Sequence, residues 1–197
     1  METVIRQATQ DDAAQVLAIY TPFVTDTPVT FEIEPPTLPE MAGRIESCLQ
    51  THPWLICERD NEVLGYVYAS PHRSRAAYCW SADVSVYTAS AHRRKGVGRA
   101  LYSSLFTCLR LQGFYNAYAG ITLPNVGSVG LHEAMGFNLV GVYYEVGYKS
   151  GQWHDVGWWQ MALQPHVIEP ALPVQFPQAD ALDGWSAAMD SGLAYLR

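Results

Sequence analysis

The apolar positions change period repeatedly along the chain, and each change marks an element. TVIRQA at 3–8 alternates apolar and polar residues, as a half-buried strand does. Asp11 or Asp12 then supplies an N-cap for a helix over DAAQVLAIY. The Pro- and Thr-rich run TPFVTDTPVTFEIEPPT breaks the pattern and predicts irregular loop, followed by a second helix over about 38–50. WLICER and VLGYVYAS predict two strands joined by a turn at Asp60-Asn61, a hairpin signal. A longer strand is expected over AAYCWSADVSVYT. Val97, Leu101, Leu105, Cys108 and Leu109 then recur at helical spacing, with Gly113 placed to stop the helix. YNAYAGIT predicts a strand, and Asn125 to Met135 a short helix ended by Gly136. Two aromatic-rich strands follow at about 138–147 and 153–162. The order β-α-α-β-β-β-α-β-α-β-β places the protein in the α/β class, with a sheet that is part parallel and part antiparallel.

This pattern occupies residues 1–164 as one domain, without internal repeats. From Pro165 to Arg197 the chain holds several prolines and four acids against one arginine. That tail is expected to lie over the surface or be partly disordered, with no chemistry of its own.

Composition narrows the function classes. The chain has 197 residues, 49% of them hydrophobic, and a formal net charge of −7. An acidic surface argues against a general nucleic-acid binder. No apolar run approaches the roughly 20 residues that span a bilayer, and the N-terminus lacks a signal-peptide pattern. Cys48, Cys57, Cys79 and Cys108 form no ligand or disulfide spacing and read as reduced thiols in a cytoplasmic protein. The six histidines are dispersed, so no metal site is expected.

Against that acidic background, RRKGVGR at 93–99 gathers Arg93, Arg94, Lys95 and Arg99 around Gly96, Val97 and Gly98. The turn lies between a predicted strand and a long predicted helix. A helix N-terminus exposes unpartnered N–H groups and partial positive charge, and glycines admit a phosphate close to the backbone. Locally the turn is either a solvated basic cap or an anion cradle. A Rossmann fingerprint is disfavoured because Leu101 replaces its third glycine, and no P-loop motif exists.

In the preceding strand, alternation puts Asp83, Ser85 and Tyr87 on one face and Val84 and Val86 on the other. Upstream, Arg73 and Arg75 are two residues apart. In an extended backbone their guanidiniums share a side and can clamp an oxyanion. Downstream, Asn125, Ser128 and His132 fall at i, i+3 and i+7, one stripe of a helix, with Asn125 as cap.

The pattern Arg93-x-x-Gly96-x-Gly98 is similar to the coenzyme-A turn [QR]-x-x-G-x-[GA] of GNAT acetyltransferases. TFEIEPPT, HPWLICE, RSRAAY, SVYTASAHRRKGVGRALY, ITLPNVGSVGLHEAMGF and GYKSGQWHDVGWWQ follow one another in order over about 3–163. Through them the chain resembles the phosphinothricin and methionine sulfoximine acetyltransferases within that superfamily. The resemblance implies the GNAT acyl-CoA N-acyltransferase fold, a mixed sheet splayed near its middle and flanked by helices, with acetyl-CoA as co-substrate. It implies that Val86, Tyr87 and Thr88 pair with the pantetheine arm and that the amides of Arg94 to Arg99 hold the pyrophosphate. Asn125 and Ser128 would lie on the pantetheine side. Phe31, Arg73, Arg75 and Tyr78 would line the acceptor, beside Asp83, Val84 and Ser85.

The implied activity is direct transfer of acetyl to the α-amine of a small amino acid in a ternary complex, with Asp83 as the first candidate base and His132 as the second. A homodimer is also implied. Two departures stand out: Asp83 where the family often has glutamate, and Glu32 after Phe31 where it often has arginine. The alternatives are a protein or peptide N-acetyltransferase, or a coenzyme-binding regulator without chemistry.

Overall fold

The computed structural model describes residues 3–197. Its elements are β1 (Thr3–Gln7), α1 (Ala13–Asp26), α2 (Leu38–Cys48), β2 (Trp54–Arg59), β3 (Glu62–Pro71), β4 (Ser81–Thr88), α3 (Val97–Gln112), β5 (Asn116–Leu123), α4 (Val126–Ala134), β6 (Asn138–Lys149), β7 (Gln152–Ala162) and α5 (Trp185–Asp190). The seven strands form one sheet in the order β1-β2-β3-β4-β5-β7-β6. Among the described residues only β4 and β5 run parallel; every other pairing there is antiparallel.

The β2–β3 turn has Asp60 and Asn61 at φ 51° and 64°, the left-handed pair that a tight hairpin requires. Gly113 and Gly136, at φ 96° and 98°, stop α3 and α4 as their positions predict. The alternation in β4 is realised. Tyr87 packs against Tyr20, Phe23 and Tyr66 under α1 and α2, whereas Val84 joins the opposite core beneath α3. The core is therefore two layers, one on each face of the sheet.

Three expectations are corrected. First, the loop predicted after Tyr20 is helical as far as Asp26, with Pro22 inside α1. Burial of Val24 and packing of Phe23 on Tyr87 outweigh the hydrogen bond that proline removes. Second, residues 76–78 of the predicted long strand form a 3-10 turn, so β4 begins only at Ser81. Third, the tail is packed into the main core: Phe176, Ala179, Trp185 and Ala188 are all buried there. Its proline and acid content conceals an apolar set spaced for docking along α3.

Candidate active site

The sheet opens between its two parallel strands. β4 and β5 pair only at Ser81–Asn116, Ala82–Ala117 and Asp83–Tyr118. Beyond Asp83, β4 continues to Thr88 beside β3 alone, while β5 continues beside β7. Val84 to Thr88 therefore present backbone donors and acceptors to a gap rather than to a strand, an edge in the middle of a sheet. The gap is a small cavity of about 80 Å³ bounded by both strands, by Tyr102 of α3 and by Ser128 and His132 of α4.

The charged turn sits at the mouth of this gap. Gly96, at φ 89°, caps α3. Gly98 faces the end of β4 and α4, where an added β-carbon would come within 3.1 Å of Leu131 Cδ2 and 3.8 Å of Thr88 Oγ1. Val97 points inward and is buried. Arg94, Lys95 and Arg99 are exposed, with Arg94 itself in the left-handed region at φ 64°. Arg93 turns away, its guanidinium 5.2 Å from the centre of the Phe23 ring. The first-turn amides of a 16-residue helix, a glycine facing the gap and unpaired strand backbone together fit an extended ligand with a diphosphate at one end.

α4 closes the gap from the other side. Asn125 Oδ1 accepts from the Ser128 N–H at 3.1 Å, which caps the helix. His132 is buried; its Nδ1 donates to the Ser128 carbonyl at 2.8 Å, so Nε2 accepts from the Tyr102 hydroxyl at 2.8 Å. Burial holds the His132 pKa below its ordinary value, so the ring is neutral at pH 7. Tyr102 is fully buried, and desolvation raises its pKa well above the ordinary phenol value. No sequence signal marked Tyr102 out, since it reads as one more core residue of an amphipathic helix.

Asp83 stands where the strands part. Its Oδ1 accepts a 2.6 Å hydrogen bond from His72 Nδ1. Burial raises the Asp83 pKa, against the opposing effects of the His72 hydrogen bond and of the charges on His72 and Arg73. The His72 ring stacks on Tyr118 with centroids 4.1 Å apart and meets Tyr78 and Trp158 edge-on. His72 was missed by the sequence reading. Its signal lay in strand register: Ser70 pairs with Asp83, which sets residue 72 diagonally beside that carboxylate.

The other acceptor-side residues are dispersed around this pair. Bends at 72, 74 and 75 replace the extended backbone that was to align the two arginines. Arg73 lies over Trp158, 5.6 Å from its ring, and Arg75 is exposed and forms no ion pair among the described residues. Ser85 lies opposite Tyr68 on β3, on the face that carries Asp83. Phe31 closes onto the β6–β7 hairpin, where a β-carbon on Gly147 would overlap its ring. Lys149 Nζ fixes the same loop by donating to the Thr30 carbonyl at 2.7 Å. Glu32 is occupied structurally, bound by both terminal nitrogens of Arg44 and by the Tyr20 hydroxyl.

Known proteins share this fold. The family described as Acetyltransferase (GNAT) domain matches residues 5–158. The chain belongs to the GNAT acetyltransferase family. It is 40% identical over 171 residues to the phosphinothricin N-acetyltransferase of Streptomyces viridochromogenes, covering 86% of this chain and 93% of that one. It is 32% identical over 172 residues to the L-methionine sulfoximine/L-methionine sulfone acetyltransferase of Pseudomonas aeruginosa, covering 86% of this chain and all of that one. The crystal structure of a phosphinothricin acetyltransferase from Sinorhizobium meliloti in complex with AcCoA superposes with a TM-score of 0.82 at 32% identity, over 87% and 94% of the two chains. This acetyltransferase thus has the splayed mixed sheet of its family, and it stands among enzymes rather than among coenzyme-binding proteins without chemistry.

Proposed function

We propose that this acetyltransferase moves acetyl from acetyl-CoA to the α-amine of a small amino acid or analogue, such as phosphinothricin or methionine sulfoximine, by direct transfer in a ternary complex. The observation that carries the reading is the Asp83–His72 pair at the point where β4 and β5 separate. Val86, Tyr87 and Thr88 would hold the pantetheine arm as a neighbouring strand, with Asn125 and Ser128 opposite. The amides from Arg94 to Arg99 would hold the pyrophosphate. Bound there, acetyl-CoA supplies an activated carbonyl: the amine nitrogen forms a bond to it, the carbon–sulfur bond breaks, and the thiolate takes up a proton.

The chain's own residues manage the protons. An α-ammonium must lose one before it can attack, and its reference pKa is about 7.7–8.0 even in peptides. The Asp83 carboxylate accepts it, directly or through water, and burial strengthens it as a base. His72 Nδ1–H fixes the carboxylate's orientation. His132 has both ring nitrogens engaged, so its part runs through the Tyr102 hydroxyl that it orients beside the gap. That pair is the second candidate for proton handling, on the thiol side.

Arg75, Arg73, Phe31 and Tyr78 form the acceptor side, with Val84 and Ser85 as its strand floor. Arg75→Ala is expected to raise KM for an acidic or oxyanionic acceptor about tenfold, the scale of one hydrogen bond to a charged group. KM for acetyl-CoA should stay within about twofold. A parallel rise in both constants would remove Arg75 from the acceptor side. The activity itself is tested by thiol release from acetyl-CoA against the amino acids, phosphinothricin, methionine sulfoximine and a peptide panel. Silence across the free amino acids and analogues would overturn the reading.

One observation favours peptide acceptors as a second reading. A groove of about 860 Å³, walled by Trp54, Tyr66 and Tyr68, runs along the face of the sheet that carries Asp83 and Ser85. The peptide panel decides between the two.

The same reading extends to assembly and setting. No helix among the described residues is long and apolar enough to cross a membrane. All four cysteines are free thiols, which supports a cytoplasmic protein. β6 is an edge strand whose Leu139, Val140, Tyr143, Tyr144 and Tyr148 are more than half exposed, which supports a homodimer. Sedimentation at the monomer mass at micromolar concentration would exclude it.

A further inference from the structure

The segment beyond the family-matched residues 5–158 ends at the charged turn. α5 lies along α3, and Gly192 brings the chain against that helix so closely that a β-carbon would overlap the Ala100 carbonyl. The Gly192 N–H donates to Ser104 Oγ at 3.1 Å. Five residues on, the Arg197 N–H donates to the Lys95 carbonyl at 3.1 Å. The Tyr195 carbonyl occupies the place that a β-carbon on Gly96 would need, so the glycine that caps α3 also admits the tail. The Arg99 guanidinium lies over the Tyr195 ring, 4.4 Å from its centre.

Between them these residues enclose a cavity of about 440 Å³, with Arg94, Gly96 and Arg99 on one side and Tyr195, Leu196 and Arg197 on the other. Among the described residues no carboxylate pairs with Arg94, Arg99 or Arg197. A chain of net charge −7 thus gathers three guanidiniums around one pocket without a side-chain carboxylate partner, beside the turn assigned to the diphosphate. The chemistry of the pocket is specific in kind. Guanidiniums select phosphate oxygens by paired N–H donors, and a tyrosine ring already carrying a cation offers a surface for a flat heterocycle.

We propose that the C-terminal segment Gly192–Arg197 completes a pocket for the 3′-phosphorylated adenosine end of the coenzyme. The proposal rests on the acetyl-CoA reading above and extends it to a part of the chain outside the matched family region. The 3′-phosphate is a monoester carrying close to two negative charges at neutral pH, a match for clustered arginines. It distinguishes coenzyme A from its dephospho precursor, so the tail is a specificity element as well as a packing one.

Calorimetry of the full chain with coenzyme A and with 3′-dephospho-coenzyme A separates the parts of this argument. The unaltered protein is expected to bind coenzyme A at least about tenfold more tightly, a difference of about 1.4 kcal/mol. Arg197→Ala keeps the main-chain bond to Lys95, and Tyr195→Ala removes the ring. Arg197→Ala should lose most of that preference while holding 3′-dephospho-coenzyme A within about threefold of its original affinity, whereas Tyr195→Ala should weaken both coenzymes alike, because the adenine is common to them. Unaltered melting temperatures confirm that the tail stays docked in the variants. Undiminished preference in Arg197→Ala, or undiminished affinity for both coenzymes in Tyr195→Ala, overturns the proposal and leaves the tail a strap on α3. So does an unaltered protein that binds the two coenzymes equally, an outcome that leaves the acetyl-CoA reading intact. Failure to bind either coenzyme sinks the acetyl-CoA reading itself, and this proposal with it.

Discussion

Asp83→Asn is expected to lower kcat by about 10²- to 10⁴-fold, the range for loss of a positioned acid–base group. The substitution is chosen because it preserves shape. An asparagine Oδ1 can still accept from His72 Nδ1–H, so the β3–β4 edge and the stacking of His72 on Tyr118 persist. Only the capacity to take a proton is removed. Coenzyme affinity, set by the turn and the open strand edge several residues away, should move less than about twofold. The pH profile carries the sign. A base works when deprotonated, so activity of the unaltered enzyme falls as pH drops through the Asp83 pKa. Burial raises that pKa and shifts the acid limb toward neutrality. The variant should lose this limb. Kinetics close to those of the unaltered enzyme across the pH range would dismiss Asp83 as the base.

The same shift makes a statement about stability. A carboxyl whose pKa is higher in the folded than in the unfolded chain binds more protons when folded. Above the unfolded value of about 3.9 it therefore weakens folding, increasingly so as pH rises through the folded value. Asp83→Asn should accordingly melt no lower at pH 7 than the unaltered protein. A base that costs stability where it stands is the usual mark of a working group rather than a structural one.

How far the sequence discloses this site depends on the range of each interaction. The turn, its glycines and the alternation of β4 are local, and SADVSVYT followed by RRKGVGR exposes them directly. The caps Asn125, Gly113 and Gly136 are legible for the same reason. His72 is not, because its meeting with Asp83 is decided by the register between β3 and β4 across 11 residues. Tyr102 meets His132 across 30 residues and resembles any buried aromatic until α4 is placed. Pro22 argued for a loop by its own chemistry, yet Phe23 and Val24 had a core to fill. The tail was the largest omission. Its prolines suggested solvation, whereas Phe176 and Trp185 pack together and carry it along α3 to the turn. Glu32 shows the converse. Read alone it stood out as a departure from the arginine common in the family, and in the fold its carboxylate is committed to Arg44 and Tyr20.

Gly98→Asp is expected to abolish coenzyme binding at working concentrations without loosening the fold. Gly98 lies in the first turn of α3 and faces the gap between β4 and α4. A carboxylate there is favourable for the helix: aspartate replaces the poorest ordinary helix former, and negative charge near an N-terminus contributes about 0.3–1 kcal/mol. The steric demand is small, since the nearest atom to the new β-carbon is the end of the Leu131 side chain at 3.1 Å. The melting temperature should therefore hold or rise by a few degrees. The ligand sees the opposite sign. A unit charge about 4 Å from a phosphate oxygen costs about 4 kcal/mol at an effective dielectric of 20, which weakens binding by about 10²- to 10³-fold. It also competes for the amide donors that the diphosphate needs. Gly98→Ala places the same β-carbon without the charge and should bind acetyl-CoA within about threefold of the unaltered enzyme. Calorimetry with acetyl-CoA and thermal melts on both variants separate charge from bulk. If the aspartate variant binds as the alanine variant does, the diphosphate does not lie on this turn.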